Sequence, residues 1–228
     1  MSHIQKPFFI FNPKSYLYGS DLLDLVKVGE EIARQTDISV LMTLPFSEIG
    51  AAKPLSHHLI LSAQHMDPLK PGRGMGHIFA ESLKSAGIKA TFLNHAEHPQ
   101  SLGDIAETIR RAKDFDIDTI VCANSVTEAQ SIALLEPEVI LCEPTDLIGT
   151  GQTSDANYVQ TTNQAIRDIN PDILVMQAAG ISTPDDVYSV IKQGADGTGC
   201  TSGIVKAPDP ANIFKEMVAA VEAAYKEG

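Results

Sequence analysis

Eight short apolar runs alternating with amphipathic segments restrict the possible folds of this chain more than any other feature. The runs are FFIFN (8–12), ISVLMT (38–43), HLILSAQ (58–64), KATFLN (89–94), DTIVCA (118–123), EVILCE (138–143), DILVMQA (172–178) and DGTGCT (196–201). Between them, stretches such as 20–36, 101–115, 157–169 and 183–194 space apolar residues at three and four, the period of a helix with one buried face. Ser101 and Thr183 are expected N-caps, with Asp104 and Asp186 three residues on in the manner of a capping box, and Gly194 closes its helix. Continuous apolar strands alternating with helices predict a parallel sheet with a helical cover. About eight such units in 228 residues match the compact end of the (β/α)8 size range. The expectation is therefore an α/β fold, a single (β/α)8 TIM barrel with parallel strands and outer helices, spanning 1–228 as one domain. An open doubly wound sheet is the structural alternative, weakened because no G-x-G-x-x-G follows the first run. Gly197-Thr198-Gly199 is a poor strand former, so the eighth strand is the weakest of the set.

Charge narrows the partners. A formal net charge of −12 opposes the nucleic-acid backbone and anionic membranes, so neither is an expected partner. An anionic substrate would need a locally positive site, built from one or two cations and aligned backbone N–H groups. Cys122, Cys142 and Cys200 are odd in number, lack C-x-x-C spacing and lie in apolar runs, which predicts buried thiols in a reducing cytoplasm and no metal site. The N-terminal residues carry no signal-peptide pattern, and no run of 18 apolar residues occurs.

In a barrel of this kind every strand delivers its C-terminal end to one mouth, so candidate functional residues are read there. The first run ends in Asn12-Pro13-Lys14, the fourth in Asn94-His95-Ala96-Glu97, and the sixth in Glu143 followed by PTDLIGTG. An amine, an imidazole and a carboxylate are what proton abstraction beside a carbonyl needs: a base, a neutral donor to polarise the oxygen, and a cation to hold the developing enediolate. Each alone is weak evidence; their joint position at the ends of runs one, four and six carries the reading.

The segments NPK, AQHMDPLKPGRGMGH, LNHAEH, CEPTDLIGTG, AAGIS and GCTSGIVKAPDP, in that order, resemble the triosephosphate isomerases, most closely their short archaeal-type branch. The resemblance covers essentially the whole chain, and Glu-Pro followed by Leu-Ile-Gly-Thr-Gly is its most specific part. It implies that Glu143 is the base, His95 the electrophile kept neutral by a helix N-terminus starting near Pro99, and Lys14 the cation, with Asn12 on the carbonyl oxygen. Glu97 matches a family carboxylate near Lys14 and His95. The phosphate would rest on backbone N–H groups of Gly149, of Ala179-Gly180-Ile181 and of Thr201-Ser202-Gly203, the last opening a short helix. Residues 144–154 read as a lid that would exclude water. No cofactor and no metal are expected. The implied reaction interconverts dihydroxyacetone phosphate and glyceraldehyde 3-phosphate. The rival is isomerisation of a four-carbon ketose phosphate by the same residues. Met75, Ala96 and Pro13 depart from the family pattern. Residues 64–76 resemble the family's interdigitating third loop, so a homodimer or homotetramer is implied.

Overall fold

A computed structural model of the chain describes residues 2–144 and 156–227. Strands β1 (Phe8–Phe11), β2 (Ser39–Leu44), β3 (Ile60–Ala63), β4 (Ala90–Leu93), β5 (Asp118–Ala123), β6 (Val139–Cys142), β7 (Leu174–Gln177) and β8 (Gly197–Cys200) close into a barrel in chain order. Every pairing is parallel, and the closure sets Phe8 against both Ser39 and Gly197. Helices α1 (Gly19–Gln35), α2 (Ile49–Ala52), α3 (Ala80–Ala86), α4 (Leu102–Asp114), α5 (Val126–Ala133), α6 (Ala156–Arg167), α7 (Pro184–Lys192), α8 (Ser202–Val205) and α9 (Pro210–Lys226) follow the strands. The expected TIM barrel is thus the observed fold, and the open sheet is excluded by the β1–β8 pairing.

Alternation along the strands divides the apolar residues into two layers. Phe8, Ile10, Leu41, Ala90, Phe92, Ile120, Val139, Leu141 and Met176 fill the barrel interior, with Ile4 packed among them. Phe9, Phe11, Val40, Met42, Leu93, Val121, Ile140 and Val175 face the helices instead. Phe214 of α9 meets Phe9 and Phe11 at ring separations of 6.0 and 5.2 Å, which seats the last helix on the first strand.

The unpromising eighth strand is explained by that interior layer. A Cβ on Gly197 would lie 2.4 Å from the Phe8 ring, and one on Gly199 would lie 2.5 Å from the Ile10 carbonyl oxygen. The glycines make room for the large residues of β1, so strand propensity yields to packing. Thr183 and Asp186 form a reciprocal capping box on α7, whereas on α4 Ser101 accepts the Asp104 N–H and its hydroxyl donates to the same carboxylate. The three cysteines are free and buried. Among the described residues no helix is long and apolar enough to cross a membrane.

Candidate active site

The C-terminal mouth holds a cavity of about 750 Å³, open to solvent included, lined by Asn12, Lys14, His95 and Glu143, by Gly180 and Ile181, and by Thr201 and Ser202. Two mechanisms deliver these side chains. Asn12 and Glu143 continue the inward alternation of β1 and β6, two residues beyond Ile10 and Leu141. Their backbones extend the ladder: Asn12 N–H donates to the Cys200 carbonyl at 3.2 Å and Glu143 N–H to that of Ala123 at 2.9 Å. Lys14 and His95 depend on left-handed backbone instead. Lys14 itself has φ 48°, and Asn94, just before His95, has φ 56°. A non-glycine residue adopts that region at a cost, so neighbours must hold it there. For Lys14 they are identifiable: Asn12 Oδ1 accepts its N–H at 2.9 Å, and Gln64 Nε2 donates to its carbonyl at 2.9 Å.

Electrostatics separates the two groups that would exchange protons. Burial raises the Glu143 carboxyl above its ordinary range; Lys14 pulls it down and Glu97 pushes it up, and the net direction is upward. Burial lowers His95, the Lys14 charge lowers it further, and Glu97 partly offsets both. The Glu97 N–H donates to His95 Nδ1 at 3.1 Å, so Nδ1 is the unprotonated nitrogen and Nε2 carries the proton. His95 is therefore a neutral donor. Its neutrality comes from burial and a nearby cation, which corrects the expectation of a helix starting at Pro99: residues 95–98 make a tight turn, closed by His98 N–H on the His95 carbonyl at 2.7 Å, and α4 begins only at Leu102. Glu97 accepts from Lys14 Nζ at 2.8 Å, with the lysine side chain 18% exposed and the carboxylate 63%. Burial alone would raise Glu97, yet the Lys14 hydrogen bond and charge lower it.

The expected phosphate-binding residues divide. Gly180, at φ 70°, Ile181, Thr201 and Ser202 reach the cavity. Ala179 lies behind it, in a smaller cavity between β7 and α7. Gly203 is also behind it, where a Cβ would come within 2.6 Å of the Ser182 carbonyl oxygen. Gly149 and the rest of the expected lid after Pro144 lie outside the described residues. Ser182 was not expected, yet it lines the cavity, and its N–H is tied to Asp186 at 3.0 Å. A serine directly after the Ala-Ala-Gly-Ile turn was the available signal. Lys14 is the lone Lys or Arg among the described lining residues.

A closed barrel whose mouth joins a desolvated carboxylate, a neutral imidazole and a lysine defines a (β/α)8-barrel protein with an acid–base centre. A family model described as "Triosephosphate isomerase" matches residues 7–221. Proteins named triosephosphate isomerase from Methanocaldococcus jannaschii and Methanobrevibacter smithii are each 34% identical to the chain, over 92% and 93% of it and 97% of each relative. The protein of that name from Sulfolobus acidocaldarius is 30% identical over 99% of this chain and 100% of its own length. The chain belongs to the triosephosphate isomerase family.

Proposed function

We propose that the protein interconverts dihydroxyacetone phosphate and D-glyceraldehyde 3-phosphate by moving a proton between adjacent carbons through an enediolate. The observation that carries this reading is the convergence of Glu143, His95, Lys14 and Asn12 on one cavity, with His95 Nδ1 capped so that its Nε2–H is left as the donor. Glu143, raised toward neutrality by burial, takes the carbon-bound proton and returns it to the neighbouring carbon. The carbonyl oxygen, becoming negative, is met by the Asn12 side chain and by the His95 Nε2–H, which gives it a proton and regains one from the neighbouring hydroxyl, so that carbonyl and hydroxyl change places. Lys14 supplies the compensating charge, and Glu97 holds its ammonium. The substrate phosphate rests at the Gly180–Ile181 and Thr201–Ser202 edge of the cavity, with Ala179 and Gly203 shaping those turns from behind. No cofactor takes part. The names of the relatives support the triose substrate, and no observation favours the four-carbon alternative.

Three buried free thiols support a cytoplasmic setting. Exposed Tyr16, Tyr18 and Met75, the last fully so, support self-association into a dimer or tetramer; sedimentation as a monomer would exclude it.

Turnover in deuterium oxide tests the chemistry. A proton carried by Glu143 exchanges with solvent, so the product gains deuterium at the reacting carbon. Glu143→Asp withdraws the carboxylate and lowers kcat by roughly 10²-fold or more, with KM little changed. Turnover without deuterium, or at the wild-type rate in Glu143→Asp, would overturn the mechanism.

A further inference from the structure

His95 does not follow from strand alternation. Ala90 and Phe92 point into the barrel and Leu93 away from it, so residue 94 should point in and residue 95 out. The left-handed turn at Asn94 (φ 56°) breaks that alternation and brings His95 to the cavity. The hydrogen bonds of Asn94 are unusually complete. Its N–H donates to Gln100 Oε1 at 3.0 Å, and its Oδ1 accepts the Gln100 N–H at 3.1 Å, a reciprocal clasp across the base of the turn. Its Nδ2 donates to the Cys122 carbonyl at 3.0 Å and to Glu128 Oε1 at 3.1 Å. The second carboxylate oxygen of Glu128 accepts the Asn124 N–H at 2.7 Å, so the first turn of α5 is fastened to the end of β5 and, through Asn94, to β4. Gln100 Nε2 reaches the Met66 carbonyl at 3.2 Å, tying the same clasp to the loop after β3.

We infer that Asn94, Gln100 and Glu128 are positioning residues for His95: they hold the left-handed turn that aims its imidazole at the reacting oxygen. The inference rests on the role given to His95 above. The three residues touch no substrate atom in this account. They act by keeping the 94–100 turn in the shape that brings the Glu97 N–H onto Nδ1. Displacing the ring by about 1 Å is enough to lower turnover roughly 10²-fold.

Glu128→Gln is the discriminating variant. It keeps the side-chain volume but replaces one of two engaged acceptor oxygens with an NH₂ that faces an N–H. Asn94→Ala removes the Oδ1 and Nδ2 hydrogen bonds together with tolerance of the left-handed backbone, whereas Asn94→Gly keeps the backbone freedom and loses only those side-chain bonds. The variants should lose kcat by about 10²-fold for Glu128→Gln and Asn94→Ala and by less for Asn94→Gly. KM and inhibition by inorganic phosphate should stay near wild type. Nitrogen-15 spectra of the His95 ring should change from a single Nε2–H tautomer to a mixture, a signature that loss of stability alone does not produce. His95→Gln is measured beside them. Wild-type turnover in that variant would overturn the role of His95 itself. Loss of turnover there, with wild-type kcat and a single tautomer in Glu128→Gln and Asn94→Gly, would overturn the positioning role alone.

Discussion

At the scale of single residues, the candidate site combines two side chains that continue a strand's inward alternation, Asn12 and Glu143, with one, His95, that reaches the cavity through the left-handed turn at Asn94. Asn12 and Glu143 were legible because they extend the inward face of apolar strands. His95 was legible as a residue type at a strand end, but the reason it faces the cavity lies in Asn94, which sequence shows only as an asparagine, one of the few residues that tolerate left-handed backbone. The pH behaviour belongs at this scale. Glu143 is raised above its ordinary value of 4.5 by burial, so the base is lost, and kcat/KM falls, as pH drops through a point above the usual carboxylate range. His95 is lowered below 6.5 and stays the neutral donor at pH 7. Glu97 raises Glu143, so Glu97→Gln should move the acid limb to lower pH. The substrate phosphate titrates identically in both proteins, and their difference is what is read. An acid limb that stays in place or moves upward would contradict this electrostatic account.

At the scale of elements, all eight strands were visible as apolar runs, with ends displaced by no more than two residues in the structure. The helices were visible where their apolar faces are long and their caps strong, as on α4 and α7. The connection between β2 and β3 gave no such signal. It is a string of short turns, Phe46–Glu48, Ile49–Ala52 and Lys53–Leu55, too brief to show a period. The eighth strand is the informative case, because its glycines are poor for a strand taken alone and necessary beside Phe8 and Ile10. Gly199→Ala would place a Cβ 2.5 Å from the Ile10 carbonyl oxygen and 2.7 Å from Met176 Cε. Overpacking of that kind should cost about 1–3 kcal/mol, lowering the melting temperature by roughly 2–4 °C for each kcal/mol in a chain of this size. Gly50→Ala in α2, where a Cβ meets nothing within 4 Å, serves as the control. Equal melting of the two variants would contradict the packing argument.

At the scale of the whole molecule, the fold decides where chemistry is possible and the charge decides how it must be built. Closure in chain order brings the ends of β1, β4 and β6 to one mouth, although Asn12 and His95 stand 83 residues apart in sequence and His95 and Glu143 stand 48 apart. A net charge of −12 repels an anionic substrate at long range, so the proposed phosphate site needs the local positive potential that Lys14 and the backbone N–H groups of the turns after β7 and β8 would supply. The sequence anticipated that requirement without showing which turn residues face the cavity, since Ala179 and Gly203 differ from Gly180 and Ser202 by packing and not by type. The most direct test of the account is kcat/KM of the purified protein on glyceraldehyde 3-phosphate, without added metal or cofactor. The account predicts a value approaching the diffusional ceiling, roughly 10⁸ M⁻¹s⁻¹. A value several orders of magnitude lower would contradict it.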